Sequence, residues 1–97
     1  ASRKAGYRIV KPLTSHGVGH TLHDDPGTIF NFYRANDRRL IQPGWVLAIE
    51  PFLTTGSGDI YEEDDQSTLR TTDRKPVAQF EHTLVVTEDG PLVVTRL

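Results

Sequence analysis

The sequence predicts an α+β domain that is mostly antiparallel sheet with few helices, and three observations carry that expectation. Two apolar runs, WVLAIEPFL at 45–53 and AQFEHTLVVT at 78–87, read as buried strands. Between the second run and residues 92–95, Glu88-Asp89-Gly90 reads as a hairpin turn, because Asp-Gly tolerates the positive φ angles that a tight turn needs. Helical patterning is confined to the start of the chain and a stretch around 34–40. Helices to cover one face of the sheet are largely missing, which points to a single partial domain over 1–97.

In chain order, residues 1–6 (ASRKAG) read as the last turn of a helix stopped by Gly6. Residues 7–13 mix apolar, basic and β-branched side chains, and Pro12 suits an edge strand. The segment SHGVGHTLHDDP at 15–26 holds Gly17 and Gly19, each costing about 1 kcal/mol in a helix interior, so it is expected to be extended and bent. Residues 27–43 are irregular and polar and close on a turn at Gln42-Pro43-Gly44. After the first apolar run, 54–65 reads as a loop rich in Gly, Thr and acid, followed by a short strand at 68–71. No repeat, linker or low-complexity tract interrupts this order.

Composition narrows the function classes. A chain of 97 residues with 36% hydrophobic content can form a core, but a thin one. A net charge of −2 gives no strong field for nucleic acid or anionic lipid. The absence of cysteine rules out thiolate ligands, thiol nucleophiles and disulfides. No apolar run approaches the roughly 20 residues of a membrane helix and no signal peptide opens the chain, so a cytoplasmic protein without membrane or nucleic-acid partners is expected. A start at Ala1 and a lack of methionine fit one lobe of a longer product.

Two acids interrupt the apolar runs, Glu50 and Glu81. A carboxylate in a buried strand must be paired, hydrogen-bonded or bound to metal. Two brought together repel, and a divalent cation turns that conflict into binding. The alternative is that each glutamate faces solvent from a half-buried strand. The histidines are His16, His20, His23 and His82. Imidazole with carboxylate suits zinc, manganese, iron or cobalt. The H-x3-H-x2-H spacing could mimic a helical zinc site, but Gly17 and Gly19 argue against that helix.

Three blocks now carry a resemblance: HGVGHTLHDDP at 16–26, PGWVLAIEPFLTTG at 43–56 and AQFEHTLVVTEDGP at 78–91. In order and spacing, with 27 positions from His23 to Glu50 and 31 from Glu50 to Glu81, they resemble the C-terminal half of type I methionine aminopeptidases. The resemblance covers essentially the whole chain. It implies the C-terminal half of a pita-bread fold, the C-terminal lobe of a metallo-aminopeptidase that removes N-terminal methionine from nascent proteins. His16, Glu50 and Glu81 would be metal ligands, Glu81 bridging two divalent ions (Co, Mn, Fe or Zn). His23 would contact the scissile amide and stabilise the transition state, and Leu22 would line the pocket for the methionine side chain of the peptide substrate.

The resemblance also implies two aspartate ligands and a further histidine from the N-terminal half of the same fold, which these residues do not offer. Asp24 and Asp25 follow His23 too closely to serve, and Asp64 and Asp65 read as a solvated turn. The metal site would therefore be incomplete, and the chain alone inactive. Ser15 stands where the motif usually has glycine, and Ser67 where many members carry a tryptophan. Proline dipeptidases of the same fold carry a longer segment after the ligand histidine, and type II aminopeptidases a helical insertion between the counterparts of His23 and Glu50. A non-catalytic pita-bread module would be expected to lose the ligands that stand here.

Overall fold

The structure, a computed structural model, describes residues 4–96. Among the described residues ten strands follow one another: β1 (Arg8–Ile9), β2 (Ser15–Gly17), β3 (Asp24–Ile29), β4 (Val46–Ile49), β5 (Phe52–Thr54), β6 (Ile60–Glu62), β7 (Leu69–Thr71), β8 (Val77–Gln79), β9 (His82–Thr87) and β10 (Gly90–Val93). They form a five-stranded sheet in the order β10-β9-β4-β2-β3, a three-stranded sheet β1-β5-β8 and a hairpin β6-β7. Every pairing is antiparallel, as the sequence predicts.

Each long apolar run is split rather than continuous. The first runs from β4 to β5 across Glu50-Pro51, and the second from β8 to β9 across Phe80-Glu81. Pro51 has no N–H to give a ladder, so the first run cannot remain paired through that point. Below the break β4 pairs β9 with Ile49 opposite His82, and above it β5 pairs β8 with Phe52 opposite Gln79. The register is the same on both sides, so at the break Glu50 falls opposite Glu81.

The core is thin. Among the described residues the buried hydrophobic side chains are Val10, Leu47 and Ala48, while Leu22, Tyr33, Leu40, Ile41 and Phe80 are exposed. Leu47 and Ala48 sit in β4, the central strand of the larger sheet, with β9 on one side and β2 on the other.

Several expectations are corrected. The helical turn expected at 1–6 lies partly outside the described residues, and residues 4–6 form a turn in which Gly6 has φ 85°. Residues 34–40 form no helix: the chain turns at Ala35-Asn36, and Arg39 pairs within the loop with Asp37 Oδ2 at 2.8 Å and ties it to the sheet by donating to Thr28 O at 2.8 Å. Leu40 and Ile41 stay exposed there, so no apolar stripe exists to hold a helix against the sheet. The loop expected at 54–65 contains β6, because Asp65 closes a turn into β7 by accepting from Ser67 N (3.0 Å), Thr68 N (2.8 Å) and Thr68 Oγ1 (2.6 Å). The last hairpin forms, but its loop is Glu88-Asp89, and Gly90, with φ 119°, already pairs Thr87.

Candidate metal centre

β2 is held between β3 and β4, and His16 pairs Ala48 on one side and Thr28 on the other. Alternation along β4 puts the side chain two residues beyond Ala48, that of Glu50, on the face where His16 points. The two side chains meet there, His16 Nε2 lying 3.3 Å from Glu50 Oε2. Glu81 reaches the same place from the other run, because the shared register brings the two breaks side by side.

Gly17 makes the local backbone possible. The pairing of β2 with β3 slips between His16 and Gly17, so that Gly17 pairs Asp24 while His16 pairs Thr28. A Cβ at position 17 would sit 2.2 Å from the carbonyl oxygen of Asp25, so only glycine fits beneath the bulge.

The protonation of His16 follows from its neighbours. Its Nδ1 lies 2.8 Å from Gly17 O, and a carbonyl can only accept, so Nδ1 carries the proton. In the neutral ring Nε2 then presents a lone pair to the Glu50 carboxylate. Two acceptors facing each other at 3.3 Å require something positive between or upon them, a proton or a cation. A histidine that donates its far N–H to a backbone carbonyl is also the usual posture of a metal ligand.

Glu50 shows the same strain. Burial pushes its carboxyl above the ordinary carboxylate range, the Glu81 charge pushes it the same way, and His16 pulls back. Like charges placed opposite each other across strands are destabilising. The donor chemistry, one imidazole nitrogen and two opposed carboxylates, fits a divalent cation of the borderline class. Among the described residues, however, no three His, Asp or Glu side chains close around a single point. The donors come as two contacts, His16 with Glu50 and Glu50 with Glu81, sharing Glu50.

His23 joins this group. The loop after β2 folds back through Gly19 N to Thr21 O at 3.1 Å, Thr21 Oγ1 to His23 O at 2.7 Å and His20 N to Asp24 Oδ2 at 3.1 Å. The His23 ring then lies 4.1 Å from the His16 ring, centroid to centroid, tilted by 38°. His23 itself is exposed, open to a substrate. Leu22 is 74% exposed and lines neither of two cavities, one of about 630 Å³ by the β6-β7 hairpin and one of about 220 Å³ near Trp45.

The other candidates have local duties. Asp24 accepts from the backbone of His20 and Asp25, and Asp65 holds its turn. His82 contacts Thr95 Oγ1 at 2.7 Å through Nδ1. The exposed Ser67 sits at the tip of the β6-β7 hairpin. Sequence reasoning did not find Asn31, which meets Ser15 across sixteen positions with a hydrogen bond of 2.6 Å; no local pattern announces such a contact.

Comparison with known proteins identifies the family. The profile of metallopeptidase family M24 matches residues 1–88. Methionine aminopeptidase 2 of Bacillus subtilis is 43% identical over 96 residues, covering 99% of this chain and 39% of the relative. Methionine aminopeptidase 2 of Mycobacterium tuberculosis is 38% identical over 96 residues, 99% of this chain and 33% of the relative. The crystal structure of methionine aminopeptidase from Thermotoga maritima superimposes with a TM-score of 0.90 at 32% identity, covering 99% of this chain and 38% of that one. That from Rickettsia prowazekii gives 0.90 at 34% identity, covering 98% and 38%. The chain thus spans between a third and two fifths of the length of these relatives.

Proposed function

The chain belongs to metallopeptidase family M24 and has part of its pita-bread fold, and from that premise we propose that it serves in the metal-dependent removal of N-terminal methionine. The whole protein would be a cytoplasmic methionyl aminopeptidase acting on new chains. His16, Glu50 and Glu81 would hold the divalent ions, with Glu81 shared between two of them. The observation that carries this reading is the facing of His16 Nε2 and Glu50 Oε2 at 3.3 Å, with Glu81 against Glu50, a partial donor set suited to a divalent cation. Ions bound there would polarise an amide carbonyl and acidify water at neutral pH.

The chain's own residues have the remaining tasks. Gly17 O fixes the His16 ring so that Nε2 faces the site. His23, packed on His16 and open to solvent, would donate a hydrogen bond to the scissile amide as negative charge develops there. Leu22 would lie along the methionine side chain of the substrate. The two aspartates and the further histidine of the family's site would come from outside these 97 residues. Ser67, in place of a tryptophan, would enclose the methionine side chain less than the family's usual residue.

Calorimetric titration of Mn²⁺ and of Co²⁺ into the chain and into Glu81→Ala tests the ligand assignment. Binding is expected to be weak in the chain by itself, since only part of the donor set is present, and absent in the variant. Equal binding by both would remove Glu81 from the site.

A further inference from the structure

The Glu50 backbone is held by a contact that the metal reading does not use. β4 ends at Ile49, and the Glu50 amide donates to Ser15 Oγ at 2.9 Å. Ser15 is fully buried, at 0% exposure. Its hydroxyl has one proton, which it gives to Asn31 Oδ1 at 2.6 Å, turning its lone pairs toward Glu50 N–H. Asn31 is oriented in turn by donating from Nδ2 to Leu13 O at 3.3 Å. Pro51 offers no N–H, so the Glu50 amide is the one backbone donor available to tie down the break in the strand.

We propose that Ser15, oriented by Asn31, is a positioning residue for Glu50: its hydroxyl clamps the Glu50 backbone and so aims the carboxylate at His16 and Glu81. This rests on the reading of Glu50 as a metal ligand. A residue without a side-chain hydroxyl here would have no oxygen to offer the Glu50 amide, so the clamp depends on the serine. Three separate segments meet in it, the start of β2, the residues just after β3 and the residue after β4, and any drift among them would move Glu50.

The test compares Ser15→Ala, Ser15→Thr and Asn31→Ala in the full chain by amide hydrogen exchange and by Co²⁺ titration. Ser15→Ala removes one oxygen and leaves the packing nearly intact. It should speed exchange at Glu50 by about tenfold, leave Leu47 and Ala48 nearly unchanged, and weaken Co²⁺ by about tenfold, the scale of losing an outer-shell partner. Asn31→Ala should act in the same direction, and adding it to Ser15→Ala should cost little more, because the two residues form one clamp. Ser15→Thr keeps the hydroxyl and should restore both readouts. The proposal is overturned if Glu50 exchange is unchanged in Ser15→Ala, or if Leu47 and Ala48 loosen equally. It is also overturned if Glu50→Gln weakens Co²⁺ while Ser15→Ala does not. Unchanged affinity in Glu50→Gln would instead sink the metal reading, and the Glu50 exchange rate alone would then decide the clamp.

Discussion

Replacing Glu81 by glutamine should move stability and metal affinity in opposite directions. Glutamine keeps the size of the side chain, removes its charge and replaces one acceptor oxygen by an NH2 donor. In the metal-free chain that charge works against Glu50 at the break between the two sheets. Two unit charges about 4 Å apart are worth about 4 kcal/mol at an effective dielectric of 20. Glu81 is exposed, so solvent screens most of this, and about 0.5–1 kcal/mol remains to be recovered. For a domain of this size that corresponds to a rise in Tm of about 2–8 °C. With metal the sign reverses, since losing even an outer-shell partner costs 10–100-fold in affinity and a bridging ligand should cost at least about 100-fold. Thermal melts followed by circular dichroism in chelator, paired with Co²⁺ titration, read both effects. A metal-free variant less stable than the parent would mean that Glu81 is a structural carboxylate, and an unchanged Co²⁺ affinity would mean that it is no ligand.

Three further outcomes are expected. Gly17→Ala puts a Cβ 2.2 Å from the Asp25 carbonyl oxygen, a backbone atom that cannot swing away, and should destabilise by about 1–3 kcal/mol in urea unfolding. The Asp65 carboxyl, held down to about 2 by Thr68 and Ser67, is favoured in its ionised form by the folded turn. A depressed folded pKa contributes stability above the unfolded value near 4, so this contribution should fade as pH falls from about 4 toward 2, traceable by NMR titration of the Asp65 carboxyl. In a catalytically competent protein containing this chain, His23→Ala should lower kcat for methionine release by about 10²–10³-fold, the scale of losing one transition-state donor, and leave metal affinity unchanged; loss of metal instead would make His23 a ligand.

The glutamates and histidines were legible because each stood out against its surroundings: an acid inside an apolar run, a histidine beside glycines where the backbone must come close. Antiparallel strands were legible from the same runs. What the runs did not announce was their interruption. Glu50-Pro51 and Phe80-Glu81 are single joints inside otherwise continuous apolar segments, and that they fall side by side depends on a register set by pairing between residues far apart. Of the β6-β7 hairpin only the second strand, expected at 68–71, was legible; β6 and the turn were not, since Asp65 and Thr68 build that turn from hydrogen bonds without the Asn-Gly or Asp-Gly that usually marks one. Around 34–40 the helical pattern was weak, and Arg39 found better partners in Asp37 and Thr28. Ser15 was visible only as a departure from a motif, and its use appears once Asn31 and Glu50 are folded against it.

The measurement that bears most directly on the central claim is release of free methionine from a Met-Ala-Ser peptide. The protein would be this chain joined to the N-terminal part of a methionine aminopeptidase relative, loaded with Mn²⁺ or Co²⁺, and assayed beside the same protein carrying Glu81→Ala. The account predicts methionine release that chelator stops and the substitution abolishes. A folded, metal-loaded protein that releases no methionine, or one whose activity survives the loss of Glu81, would contradict it.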